Sequence, residues 1–316
     1  MKKHFLLIVG LFLSIATLCT AQVTEESKAM KLGTNNALVI EVDDANRKVA
    51  EKVWKDMMKK YRGKTKKKRK ESQWTTEKVR LSTMTGQESA NLYAQIEEAE
   101  NVVSFSLWVP NGEEYVSADS HPEAYAAAEK LLEDYALEVR IAVVEEEFKS
   151  KARILESYQK DLKKLKKDND DYHKTIKNSE KAIEDSEKGL VTNAEEQELT
   201  EAELAAAEAV FEVANDTLRT MLRLADSKDE QKRIKKMIKS EEGKVKDVEK
   251  KLKKLNKSEK KMHKTIEDSK DDIHQAEEDI VKNEKDQERK TEQIAEQQGI
   301  VDEVQGRLDK LIGYRK

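Results

Sequence analysis

Nine cations crowd the stretch 59–70 (KKYRGKTKKKRK): Lys59, Lys60, Arg62, Lys64, Lys66, Lys67, Lys68, Arg69 and Lys70. A cluster this dense attracts phosphate or carboxylate polymers, with a pull that weakens as salt is raised. It also has a plainer reading. Between an amphipathic helix and a strand, the same lysines form a solvated connection that keeps a sheet edge from pairing with other chains. Residues 47–80 hold 15 basic and 4 acidic side chains, whereas residues 81–120 hold 7 acidic and none basic, so the polarisation is local. The whole chain carries 60 Lys and Arg against 64 Asp and Glu, a formal net of -4, which does not suit a nucleic-acid binder. The anionic partner this cluster fits is an envelope lipid or glycan, such as a phospholipid head group or a lipopolysaccharide phosphate.

The remaining candidates for chemistry are weaker. His173 and His263 each sit in an HKTI motif, and imidazole at a repeated position invites a metal or pH-sensing role. Duplication explains the repetition, and an antiparallel helical pair sets the two residues far apart. His121 and His274 lack a second ligand at useful spacing. The acidic runs 145–147 and 277–279 lack the glycine and alternating oxygens of a calcium loop. Ten glycines are scattered without forming GxGxxG or a P-loop, and no serine lies in a nucleophile-elbow pattern. The expectation is a chain without catalytic residue, metal or cofactor, hence not an enzyme.

The elements that must carry these residues follow from composition. Of 316 residues, 39% are charged, 37% apolar and only 5% aromatic, with two prolines and one cysteine. That excludes collagen-like and disulfide-rich classes, and it cannot fill two globular cores, so much of the chain must be elongated. Residues 1–21 read as a secretory signal: Lys2 and Lys3, an apolar run over 5–18, then Cys19-Thr20-Ala21 before the cut. Acylation at Cys19 is the lesser alternative, because Leu18 stands where a lipoprotein needs a small residue. Cleavage would remove the only thiol and leave a mature chain without a transmembrane span, exported to the periplasm or outer envelope.

Residues 36–120 predict a small α+β domain, since they hold Trp54, Trp74 and Trp108. A β-branched run at 37–42 precedes a helix, opened by Asp43-Asp44, with its stripe at Val49, Val53, Met57 and Tyr61 and its end at Gly63. Strands are expected at 74–84, 91–97 and 102–110, giving an antiparallel sheet covered on one face. From 121 onward Ser120, Pro122 and Glu123 open a long helix, and no proline follows. Heptad a positions run from Phe148 every seven residues to Leu218, with d positions that include Tyr158, Leu165 and Met221. A second series runs from Ile238 to Leu308, and each series carries nine apolar residues in eleven a positions. Residues 162–198 align without gaps on 252–288 at an offset of 90, one residue short of a whole number of heptads, so the phase must be reset between them.

The reset is expected at 226–230, where Ser227 and Glu230 have capping-box spacing. This folds residues 121–316 into a long all-α antiparallel coiled-coil hairpin. One register sets Leu204 opposite Leu255 and Leu165 opposite Ile294, and a slide of one heptad is nearly as complementary. A parallel homodimer is the rival, and it stacks Glu259 on Glu259 and Lys290 on Lys290. A further turn near Gly189 and 192–195 would give a shorter multi-helix bundle. The signal ending in TAQ, the small domain, and SHPEAYAAAEKLLEDYALEV running into charged heptads together resemble uncharacterised exported proteins of Bacteroidota-type bacteria. The resemblance implies export and carries over no functional residue. The function expected is that of a non-enzymatic envelope spacer or scaffold that meets an envelope protein or a second copy of itself. The alternative is a binding module for anionic lipid or glycan through 59–70.

Overall fold

The computed structural model describes residues 22–68 and 71–315, so the expected signal segment lies outside the described residues. Six antiparallel strands form one sheet: β1 Thr24–Met30, β2 Gly33–Val42, β3 Lys64–Lys66, β4 Gln73–Val79, β5 Ala90–Ala99 and β6 Val102–Trp108. Their order across the sheet is β1-β2-β6-β5-β4-β3. Helix α1 (Arg47–Lys60) crosses from β2 to β3, a short α2 (Ser82–Thr85) follows β4, and a two-stranded ribbon β7 (Pro110–Asn111) and β8 (Glu114–Tyr115) follows β6. Two long helices complete the chain, α3 (Pro122–Leu224) and α4 (Lys228–Gly313). Among the described residues no helix is long and apolar enough to cross a membrane. The chain divides into two compact units, one holding the sheet and the helices to Glu156 and from Ala295, the other spanning Ser157–Ile294.

In the first unit the strict alternation of β2, β5 and β6 puts Leu38, Ile40, Leu92, Ile96, Phe105 and Leu107 on one face, where all are buried. This face packs on α1 and on the opening turns of α3, through Trp54 and Met58 and through Leu132, Tyr135 and Val139. Trp54, Phe105 and Tyr135 form a mutually contacting triad, with ring centroids 4.8, 5.8 and 4.3 Å apart. The Tyr135 hydroxyl donates to the carbonyl of Ala50 at 3.2 Å, which fastens α3 to α1.

Several local expectations are corrected. The sheet starts at Thr24 rather than near 36, because β1 (TEESKAM) is a polar edge strand that only pairing with β2 reveals. Both faces are covered, not one: Met30, Ala37, Val39 and Trp108 form a second small core with Tyr93 and Tyr115 against it. The β1–β2 turn reaches across to β4, where the Lys31 amide donates to Gln73 Oε1 at 2.9 Å and Lys31 Nζ to Thr75 Oγ1 at 2.8 Å. Helix α1 is capped by Asn46, whose Oδ1 accepts from the Val49 amide at 2.9 Å, not by Asp43-Asp44. Arg62, with φ of 62°, takes the left-handed position after α1. Gly63 is needed for space instead, since a Cβ there would stand 2.6 Å from Thr76 Cγ2. The expected strand 74–84 stops at Val79, and Ser82–Thr85 coils and closes on the left-handed Gly86.

The second unit is the antiparallel pair formed by the parts of α3 and α4 within Ser157–Ile294. The reversal occupies residues 225–227, and the Glu230 amide donates to Ser227 Oγ at 3.2 Å as the capping spacing predicts. Helix α3 runs unbroken past 189–195, so the multi-helix bundle is not formed. Gly189 sits there for close packing, as a Cβ would meet Met262 Sδ at 2.7 Å. The register is one heptad from the pairing of Leu204 with Leu255. Lys290 reaches Asp161 Oδ2 at 3.2 Å, Lys251 reaches Glu203 at 3.3 Å, and the Asn193 amide group donates to the Leu255 carbonyl at 3.2 Å. Near the reversal the frame slips: Met221 is 52% exposed, while Leu218 and Ile234 are buried.

Two measurements check this packing. Burial pushes the Tyr135 phenol well above its usual value. The proton is therefore held more tightly in the folded chain than in the unfolded one. The resulting stability is present below about pH 10, the unfolded value, and is lost as pH rises beyond it. Urea unfolding between about pH 8 and pH 11 should show a falling alkaline limb that Tyr135→Phe flattens, with about 1 kcal/mol lost at neutral pH from the missing hydrogen bond. For the register, Gly189→Cys with Met262→Cys should form an intramolecular disulfide on mild oxidation, read as a mobility shift on non-reducing gels. Glu196→Cys with Met262→Cys, one heptad away, should not.

Candidate anion-binding surface

Among the described residues, the structure does not keep the cations of 59–68 together. Lys59 and Lys60 end α1, where positive charge suits the helix C-terminus, and Arg62 sits on the turn beyond it. Lys64 and Lys66 flank Thr65 on β3, the outermost strand, so both point to the same side of the edge. This is the edge-guarding role read as the plainer alternative. Arg69 and Lys70 lie outside the described residues.

Carboxylates and a ring already hold several of these cations. Lys66 Nζ stands 2.9 Å from Glu77 Oε2 across the β3–β4 pair, and this hydrogen bond holds the Glu77 carboxyl below its usual value. Lys67 is three-quarters buried, with its Nζ 3.7 Å from Glu51 and 5.2 Å from the centre of the Trp74 ring. Lys68 lies 3.8 Å from Glu71 but remains largely in solvent. Lys59 pairs with Asp56 at 2.7 Å, and its hydrogen bond lowers the Asp56 carboxyl below the ordinary range. Exposed pairs of this kind contribute little to stability, yet they reduce the positive field available to a ligand.

A different group of cations is brought together. Lys48, Lys52, Lys55 and Lys59 recur along α1 at helical spacing and line a groove of about 790 Å³ with Lys64 of β3, where Glu51, Asp56 and Glu146 also stand. On the other flank of α1 a groove of about 570 Å³ is lined by Lys52, Lys60, Lys149, Arg153 and Arg315 over a floor that includes Val53 and Ile141. Carboxylates share this second groove, where Glu138 is paired with Arg315 and Glu145 with Lys149 at 3.5 Å. Lys55 also lies over the Trp74 ring, with its Nζ 4.2 Å from the ring centre, so one tryptophan serves two lysines. The signal that finds α1 in the sequence is the spacing 48, 52, 55 and 59, four lysines three or four residues apart. The density of 59–70 masks it.

His173 and His263 are both exposed, and His263 Nε2 lies 4.0 Å from Glu259 Oε1. No group of three His, Cys, Asp or Glu side chains among the described residues is placed to hold a metal ion.

No family model matches the chain, and no curated protein matches it. Two of the solved structures similar to it are a Helicobacter pylori protein and a Bacillus subtilis coiled-coil fragment. The HP0958 protein from Helicobacter pylori shares 17% identity with a TM-score of 0.30, covering 57% of this chain and 70% of that one. A Bacillus subtilis Smc coiled-coil middle fragment shares 20% identity with a TM-score of 0.25, covering 62% and 92%. At these TM-scores neither likeness bears on function. The fold itself defines the class: a small α+β domain continuous with a long antiparallel coiled-coil hairpin.

The ion pairs can be read directly. With Lys59→Gln the Asp56 carboxyl should titrate at a higher pH than in the parent chain, and with Lys66→Gln the Glu77 carboxyl should do the same. Carboxyl-carbon NMR over the acid range checks both, and unchanged midpoints would show that the pairs do not form in solution.

Proposed function

We propose that the chain is a non-enzymatic interaction protein, a coiled-coil spacer or scaffold of the bacterial periplasm or outer envelope. The observation that carries this reading is the pairing of α3 with α4. Two helices of 103 and 86 residues share one seam, and their remaining surface is overwhelmingly charged. Such a pair holds separate binding surfaces at a fixed spacing, and helical faces of this kind do not form the enclosed apolar pocket that catalysis usually needs. The leader-like composition of 1–21 supports export. In this reading the partner is an envelope protein or a second copy of the chain.

The grooves beside α1 favour a second reading, in which the N-terminal domain binds an anionic envelope lipid or glycan. The cations involved are then chiefly Lys48, Lys52, Lys55, Lys60 and Lys64, with 59–70 contributing only its beginning. Lys66, Lys67 and Lys68 already have partners.

Two sets of substitutions separate the readings. The first changes Lys48, Lys52, Lys55 and Lys64 to Gln, and the second changes Lys66, Lys67, Lys68 and Arg69 to Gln. If the N-terminal domain binds anions, the first set should lower retention on anionic phospholipid vesicles about tenfold or more and the second should change it little. Unchanged retention in both removes the anion reading. The spacer reading is tested by deleting one heptad from each arm at facing positions, which keeps the seam in phase. Activity in the cell should fall as the arms shorten, and indifference to length would overturn it.

A further inference from the structure

Positive charge gathers where the second unit turns back on itself. Residues 219–236 hold seven cations and three carboxylates. None of the seven makes an ion pair among the described residues, although Arg219 donates to Asn215 Oδ1 at 3.1 Å. The acidic stretch of α3 does not reach them. Lys251 meets Glu203 and Lys290 meets Asp161, and the same spacing sets residues 232–236 across from 215–222, where Asp216 is the single carboxylate. Of the three carboxylates at the reversal, Asp229 and Glu230 lie in the first turn of α4, where the helix dipole offsets their charge.

An apolar point stands among these cations. Leu224, the last residue of α3, is 74% exposed, and Met221 one turn back is 52% exposed. The reversal that presents them is ordered: Gln231 Nε2 donates to the Ala225 carbonyl at 3.2 Å, beside the bond from the Glu230 amide to Ser227. Arg219, Arg223, Lys228, Lys232 and Arg233 lie within five residues of Leu224 or Lys228, the two helix ends. That is about 8 Å along the axes at 1.5 Å per residue. The polar headgroup layer on each side of a bilayer is about 5–8 Å deep. A leucine at the hydrocarbon boundary therefore leaves all five cations at the depth of the phosphates.

This combination selects one occupant. A second copy would bring like charges together. A nucleic acid or an acidic glycan satisfies the cations and offers nothing to Leu224. The end of a helical pair is a convex point, which a fluid surface closes around, and an anionic lipid surface supplies both phosphate and hydrocarbon. We propose that the α3–α4 reversal docks on an anionic lipid surface. Leu224 and Met221 enter the boundary between headgroups and hydrocarbon, and the surrounding arginines and lysines meet lipid phosphates. This deepens the spacer reading and rests on it, since it names what one end of the spacer stands on.

The test uses the mature chain from Gln22, which contains no cysteine. Sedimentation should show uptake on phosphatidylcholine vesicles with about 30% phosphatidylglycerol and none on phosphatidylcholine alone, weakening as salt rises. A polarity-sensitive dye on Leu224→Cys should shift to the blue on the anionic vesicles. The same dye on Val281→Cys, exposed on α4 of the same unit, should not. Changing Arg219, Arg223, Lys232 and Arg233 to Gln should lower uptake about tenfold or more. Leu224→Ser should lower it about tenfold. Circular dichroism should stay unchanged in both, because these side chains already face solvent. The Lys48, Lys52, Lys55 and Lys64 quadruple variant should bind like the parent, which separates this surface from the N-terminal domain.

Equal uptake on neutral vesicles, no dye shift at 224, or uptake that the quadruple variant abolishes and the reversal variants leave unchanged overturns the proposal. So does saturation of the parent by polyglutamate with Leu224→Ser bound to vesicles as tightly as the parent, which would make an acidic protein the occupant. Those failures leave the spacer reading standing, because only indifference to arm length removes it.

Discussion

Burial of one apolar seam between α3 and α4 is the constraint on which the rest depends. A heptad stripe on a single helix cannot be kept from water except by a second stripe of the same period. The chain supplies both. Because the two stripes are offset by 90 residues, a continuous helix would turn the second about one residue out of phase with the first. The break at 225–227 removes this conflict by letting the chain reverse and restart with Ser227 as cap. The reversal is therefore a consequence of the repeat spacing, more than of any turn-forming residue.

Reversal brings the repeat against itself, with residues 162–198 facing 252–288. Related positions are then buried in related ways: Ser179 and Ser269 are each 7% exposed, and Asn193 and Asn283 are 7% and 6% exposed. In both halves a glutamine four residues on donates to the asparagine at 2.6 Å, Gln197 to Asn193 and Gln287 to Asn283. Polar side chains in a seam cost stability relative to leucine, and they are tolerated where they penalise the wrong alignment. Moving the helices by one heptad would separate Gln197 from Glu259, now 3.0 Å away. Charge acts in the same sense. The facing stretch 232–264 of α4 carries 15 cations against the eight carboxylates of 189–218, a gradient that a parallel pair of identical chains could not match.

The legible parts of this fold were those where one periodicity acts alone. Heptads located α3 and α4, the Ser227–Glu230 spacing located the cap, and alternation located β6 through Val103, Phe105 and Leu107. Expectation failed where tertiary contact overrides local pattern. β1 is polar and becomes a strand only because β2 offers it an edge, and Gly63 reads as a cap although its reason is the nearness of Thr76. The register could not be chosen from apolar matching, because adjacent heptads match almost equally well. The polar contacts of Asn193, Gln197 and Lys290 distinguish them. The spatial dispersal of the described cations of 59–68 was illegible for a related reason. Counting cations along the sequence ignores that a helix end, a turn and a strand carry Lys59 and Lys60, Arg62, and Lys64 and Lys66 separately.

What remains after internal pairing is a better guide to partners than composition. Arg47, Lys66 and Lys67 are consumed by Glu51 and Glu77, and Lys290 by Asp161 with its Nζ also 4.6 Å from the Tyr158 ring centre. The lysines of α1 share their groove with Glu51, Asp56 and Glu146, and the eight carboxylates of 189–218 lie opposite the 15 cations of 232–264. A net charge of -4 for the whole chain shows neither arrangement.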